Sequence, residues 1–189
     1  MAKQYPALDK TLRAFIAKQK IFFVGSAAAG SRVNISPKDG GSLRILGDNE
    51  VCYLDQTGSG NETSAHSLAD GRITIMFCAF EGLPNILRLY GQSQIVLRGT
   101  AEYARLLADQ FDGQEPPGAR QIVINRFDLV QTSCGYAVPL FDYVADRPNL
   151  QVWAAHQGED GMDEYRRQKN AVSIDGLPTG MFPLPDAAE

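Results

Sequence analysis

The chain has 189 residues, 44% of them hydrophobic and 21% charged, which suits one domain with a sizeable core. Its net charge of −4 and pI near 5.2 argue against a basic nucleic-acid surface over the whole molecule, though 18 Lys and Arg leave room for a local basic pocket. The longest apolar run, Ile73 to Phe80 broken by Thr74, falls far short of the roughly 20 residues that span a bilayer, so no membrane partner is expected.

The N-terminus lacks an apolar leader core and alternates charge with Leu12, Phe15 and Ile16, which predicts an amphipathic helix in a cytoplasmic protein. Lys20 to Ala28 reads as a strand, and Gly30 to Ser36 as its hairpin partner, with Gly30 and Ser31 near the turn. Pro37 to Leu43 reads as a loop. "LRIL", "GDNE" and "VCYLDQ" follow as strand, turn and strand, then a short helix from about Asn61 to Ala69. Gly71 to Phe80 is a strong strand, and Ile86 to Gly99 alternates for a long stretch, with Gly91 marking a bend or bulge. A helix from Thr100 to Phe111 has Thr100 as its N-cap. Arg120 to Tyr136 is a strand pair or one long bent strand, and Gln151 to Lys169 a polar helix ahead of an aperiodic Pro- and Gly-rich tail. The pattern predicts a mainly β protein. Its core is a small Greek-key-like barrel of about six antiparallel strands over residues 1–150, flanked by helices, with residues 151–189 as an appendage packing on the barrel or a partner.

One stretch raises a chemical question. "TGSGNETSAH" (Thr57 to His66) puts two glycines and several small hydrogen-bonding residues at the mouth of a helix. Helix-start N–H groups suit a phosphate, with Ser59, Asn61 and Thr63 as added ligands. On this stretch alone, a turn with an N-cap is the simpler account. Neither GxxxxGK[ST] nor GxGxxG is present. "SRVNISPK" adds Arg32, Ser36 and Lys38, with Arg32, Asn34 and Ser36 on one strand face. Arg72 follows the helix directly, so several cations are expected to converge there.

Other reactive residues favour plain accounts. His66 is expected on the helix surface and has no partners for a metal site, so no metal is expected. Cys52, Cys78 and Cys134 form no framework, and Cys134 in "TSCGY" is expected to be buried and inert. Trp153, Tyr143 and Tyr165 are expected to pack the C-terminal helix, and "DEYRRQKN" to be a solvated face.

"RVNISPK", then "YLDQTGSGNETSAHSLADGRITIMF", then "NILRLYGQSQIV" resemble the pyridoxamine 5′-phosphate oxidase-like flavoproteins over roughly Ile21 to Tyr136. "SGNETSAH" and "TSCGYAVP" resemble a bacterial subgroup of them. The resemblance implies an FMN-binding split barrel, a homodimer with the cofactor at its interface, and an FMN-dependent oxidoreductase acting on a small molecule. A non-catalytic flavin- or haem-binding module, and a member without flavin, are the alternatives. By position it implies that Arg32, Ser36 and Lys38 line the flavin edge or its phosphate. Ser59, Asn61 and Thr63 would meet phosphate or ribityl oxygens. Asp55, Gln56 and Thr57 would lie near the ring, and Arg88 on a strand close to the cofactor. The oxidases carry an Arg-Lys pair where this chain has Glu62 and Thr63, which leaves Lys38 and Arg72 as substitute cations. Their C-terminal Arg-x-His is also absent, so pyridoxamine phosphate is not the expected substrate.

Overall fold

The computed structural model describes residues 2–183. In chain order they form β1 (Lys3–Tyr5), α1 (Lys10–Ile16), β2 (Ile21–Ser26), β3 (Asn34–Asp39), β4 (Leu43–Gly47), β5 (Glu50–Gln56) and α2 (Glu62–Ala69). There follow β6 (Arg72–Cys78), β7 (Ile86–Leu97), α3 (Ala101–Phe111), β8 (Ala119–Ser133) and α4 (Asn149–Lys169). The strands make one antiparallel sheet of eight, in the order β3-β2-β6-β7-β8-β5-β4, with β1 paired to β8. The fold is a mostly antiparallel split half-barrel of eight strands with four helices, against about six strands expected for the barrel; seven of the eight overlap runs read as strand in the sequence.

The missed strand is β1, whose three residues are too short to show a period of two. The partner of β2 is also shifted along the chain. It is Asn34–Asp39, which pairs Pro37 with Phe23 and Lys38 with Phe22, so the predicted Pro37 loop is strand. β3 is the edge of the sheet, where a proline is tolerated because its missing N–H faces outward. The shift places Asn34, Ser36 and Lys38 on the sheltered face, and Ile35, Pro37 and Asp39 on the open one.

Residues 119–133 are one long strand, not a pair. Opposite it, the register slips between Tyr90 and Gly91, a bulge of the kind expected there. A Cβ at Gly91 would lie 2.6 Å from the Phe127 Cα, so only glycine lets the two strands close.

Two apolar clusters hold the sheet. Phe22, Val24, Tyr53, Ile75, Leu87, Leu89, Val123 and Phe127 fill the concave side under Leu12 and Ile16 of α1. Cys52, Leu54, Val96, Ile122 and Ile124 pack against Tyr103 and Leu106 of α3. The Thr100 Oγ1 accepts the Tyr103 N–H at 3.2 Å, capping α3 as predicted. Burial pushes the Cys52 thiol up to about 12, which fits an apolar filler. Cys134, expected inside, is exposed, because β8 ends at Ser133 and the chain leaves the sheet there.

α4 is interrupted at Gly158 (φ 67), and its second half carries Met162 and Arg166 on one buried face. Trp153 packs edge-on to Tyr165 along α4 at 5.0 Å, whereas Tyr143 is exposed and carries Lys20 over its ring. Among the described residues, no helix is long and apolar enough to cross a membrane.

Candidate functional site

Two cavities of similar size open on the sheet. One, of about 1010 Å³, is a trough on the outer face, floored by Phe23, Gly25, Thr74, Met76 and Tyr90 and rimmed by the exposed Val33 and Ile35. The other, of about 1080 Å³, lies between β3, the end of β5, the turn into α2 and the C-terminal segment. Both sit at the upper end of the roughly 300–1,000 Å³ usual for small-molecule sites. Their chemistry separates them. The second is lined by five cations, Arg32, Lys38, Arg44, Arg120 and Lys169, against three carboxylates, Asp39, Asp55 and Glu62, in a chain that is acidic as a whole.

Eight of the eleven predicted site residues line this second cavity: Arg32, Ser36, Lys38, Asp55, Gln56, Thr57, Ser59 and Thr63. Of the other three, Asn61 lies just behind it, fully buried, and Arg72 and Arg88 fall elsewhere for identifiable reasons. Asn61 holds the N-cap position of α2 without a capping bond; its Oδ1 accepts Gln121 Nε2 at 2.9 Å, so it braces the turn from beneath. Arg72 is not part of the cluster. It follows the C-terminal end of α2, about 12 Å from the N-terminal end by helix rise, pairs with the neighbouring Asp70 and lines the outer trough. Arg88 is also outside, because it lies on β7 and donates to the Ser133 hydroxyl at 3.1 Å. The site thus lacks the oxidase-type Arg-Lys pair and does not regain a cation from Arg72.

At the centre is Asp55. Its Oδ1 takes Lys38 Nζ at 2.5 Å, and its Oδ2 takes Arg120 Nε at 2.8 Å and Gln121 Nε2 at 2.9 Å. Burial alone would raise this carboxyl; Arg120 and Lys38 together outweigh it and hold it down at about 2. Asp55 is therefore ionised at neutral pH and keeps two cations at the cavity floor. Lys38 reaches it because β3 turns its even-numbered side chains inward, and its ammonium also lies 5.6 Å from the centre of the Tyr53 ring.

The glycine turn is held from behind by residues that sequence reasoning did not single out. Arg120 Nη1 donates to the Gly60 carbonyl and to Asn170 Oδ1, both at 2.8 Å. Asn170 Nδ2 donates to the Gly58 carbonyl at 3.0 Å. Arg166 Nε donates to Thr57 Oγ1 at 2.9 Å, and Nη2 to the Ala119 carbonyl at 2.9 Å. With both carbonyls of the turn bound from behind, the turn is fixed ahead of any ligand. The supposed solvated face of α4 therefore carries a buried arginine. Its sequence signal was the Met162–Arg166 spacing of four, which puts the charge on the apolar stripe. Arg120, Gln121 and Asn170 had no such signal.

His66, expected on the surface, is fully buried and its Nδ1 pairs with Ser26 Oγ at 3.0 Å, because α2 lies flat on β2 and β7. Among the described residues, no three His, Cys, Asp or Glu side chains are grouped to hold a metal ion.

The last described segment returns over the cavity. The Ser64 hydroxyl donates to the Thr179 carbonyl at 2.7 Å, the Glu62 carboxylate accepts the Ile174 N–H at 3.1 Å, and Asp175 pairs with Arg32.

An eight-stranded half-barrel with this strand order places the chain in the split-barrel class of folds. No protein-family model matches the chain. It is 36% identical to the pyridoxamine 5′-phosphate oxidase family protein ustO of Aspergillus flavus, over 92% of this chain and 76% of ustO. The chain therefore belongs to the pyridoxamine 5′-phosphate oxidase family. The bacterial subgroup expected from "SGNETSAH" gains no support, since this relative is fungal. Two structures of HupZ from Group A Streptococcus share the fold. A single-residue variant superposes with a TM-score of 0.53 at 22% identity, over 66% of this chain and 98% of that one. The other gives 0.51 at 23% identity, over 65% and 91%.

Proposed function

We propose that the chain binds FMN in the cationic cavity and works as a flavin-dependent oxidoreductase on a small organic molecule. The observation that carries this is the gathering of Arg32, Lys38 and the Gly58–Gly60 turn around an ionised, arginine-held Asp55. The donor set fits an anionic head. The cavity also supplies apolar surface from Leu54, Phe111, Pro116 and Leu150, which fits a planar body. Arg32, Lys38, Ser59 and Thr63 would hold the phosphate and ribityl oxygens, and Asp55, Gln56 and Thr57 the ring edge. FMN supplies hydride or electron-pair transfer when bound; the chain's own residues bind, orient and exclude water. No acid–base pair of the chain is assigned to the reaction.

A haem in place of flavin finds less in this cavity, since among the described residues its lining contains no His, Cys, Met or Tyr to serve as an axial ligand. We further propose a two-fold homodimer whose seam covers the outer trough, where Val33 and Ile35 are each 69% accessible beside Phe23, Met76 and Tyr90; Val33 also lines the cationic cavity, so such a seam would reach the cofactor at its edge. Sedimentation of a monomer at micromolar concentration would remove the dimer.

The test is the visible absorption of the freshly purified protein, followed by titration with FMN. Two flavin bands, or uptake of added FMN lowered about tenfold or more by Lys38→Ala, is the expected result; loss of a charged hydrogen bond has that magnitude. A colourless protein that takes up no FMN would overturn the reading. Anaerobic bleaching of the bound flavin by NADH or NADPH, compared with free FMN, then tests turnover separately from binding.

A further inference from the structure

Lys38 and Arg32, the two cations assigned to the anionic head, are each already engaged by a carboxylate of the chain, and the two carboxylates differ in how they are held. Asp55 is buried and bound by Lys38, Arg120 and Gln121 together. Asp175 is bound only by Arg32 among the described residues. It takes the Arg32 backbone N–H on Oδ2 at 2.8 Å and the guanidinium on Oδ1, and the Arg32 side chain is 74% exposed. Asp175 sits at the tip of a tight turn. Ser173 Oγ accepts the Asp175 and Leu177 N–H groups at 3.2 and 3.0 Å, and Gly176 follows with φ 81. The base of this turn is fixed, since the Thr179 hydroxyl donates to the Asn170 carbonyl at 2.6 Å and the Thr179 carbonyl receives Ser64. Among the described residues, its tip is hydrogen-bonded to the rest of the fold through Arg32 and through the Ile174 N–H on Glu62.

We propose that Asp175 is an internal competitor for the Arg32 guanidinium: its carboxylate occupies that cation, so a ligand's terminal anion must displace it, and only groups that out-compete a carboxylate, namely phosphate monoesters, gain from Arg32. This rests on the FMN reading of the cavity. A dianionic phosphate offers more charge and three acceptor oxygens to a planar guanidinium, whereas a neutral hydroxyl offers neither. Lys38 has to be shared with Asp55, because that carboxylate cannot leave Arg120. Arg32 can be exchanged outright, because its guanidinium is largely open to solvent, where an ion pair is weak. The hydrogen bond from the Arg32 backbone and the guanidinium together hold the Asp175 carboxyl below its ordinary range, so it competes as an anion at neutral pH.

The test compares FMN and riboflavin binding to the full-length wild type, Asp175→Asn, Arg32→Ala and the double variant, by quenching of flavin fluorescence. Asn keeps an oxygen for the Arg32 N–H while removing the charge. The expected result is FMN binding tightened about 3- to 10-fold by Asp175→Asn with riboflavin unchanged within about twofold, and no effect of Asp175→Asn once Arg32 is alanine. Equal FMN affinity in wild type and Asp175→Asn overturns the inference and leaves the FMN site standing. Equal tightening of both ligands also overturns it, since it would make the turn a steric flap. Absence of FMN binding in every variant overturns the site reading itself, and this inference with it.

Discussion

Arg120→Ala is the sharpest probe of the site's construction. The guanidinium is 5% exposed and meets three acceptors: Asp55 Oδ2, the Gly60 carbonyl and Asn170 Oδ1, each at 2.8 Å. Breaking one side of a buried ion pair costs about 3–5 kcal/mol. Asp55 would retain Lys38 and Gln121, which points to the lower end, about 3 kcal/mol. With a urea m-value of about 2 kcal/mol/M, the unfolding midpoint should fall by about 1.5 M. Arg120→Lys should recover less than half of that, because one ammonium cannot present a planar fork to three acceptors. A double-mutant cycle with Asp55→Asn should return a coupling of at least about 1 kcal/mol. A midpoint shift below about 0.5 M, or additive effects of the two substitutions, would refute Arg120 as the brace of the turn.

Other outcomes follow from the same geometry. Asp55 has a folded pKa of about 2, below its unfolded value, so its ionisation stabilises the fold fully above about pH 4 and this contribution is lost as pH falls towards 2. Worth about 2 kcal/mol, it should appear as a stability gap between wild type and Asp55→Asn that narrows from pH 4 to 2 in urea titrations; a gap independent of pH would contradict the assignment. Arg88→Ala and Arg72→Ala should leave FMN affinity within about twofold of wild type in fluorescence titration, since a surface substitution away from the site has little reach. Gly91→Ala should destabilise by about 3 kcal/mol in urea unfolding, the upper end for overpacking, because the clash is with backbone.

The sequence carried the site unevenly. The front wall was legible because its residues are local. Arg32, Ser36 and Lys38 share one short stretch, and Thr57 to Thr63 share one turn, so spacing alone brings them together. The barrel itself was legible from alternation in β2, β6 and β7 and from the glycine at the bulge. The back wall was hidden for a physical reason. Arg120, Arg166 and Asn170 hold the turn through pairings across 47 to 112 residues, and a buried arginine looks like a surface arginine until its partners are known. Arg72 failed in the opposite way: it is adjacent in sequence to the helix, but adjacent to the wrong end of it. His66 failed because a helix lying flat on a sheet buries residues that its own polar composition would leave outside.

The brace supplied by Arg166, Asn170 and Thr179 also orders events in time. Every strand of the sheet is complete once Ser133 has been synthesised, and strand pairs can close from then on. The glycine turn must wait a further stretch of chain, to Thr179, before its carbonyls and hydroxyls find their partners. At roughly 5–20 residues per second that is a delay of about 2–9 s, in which a nascent barrel exists with its ligand cradle unset. Any ligand capture during synthesis is thereby deferred until Thr179 has been added, after the β core has already committed to its register.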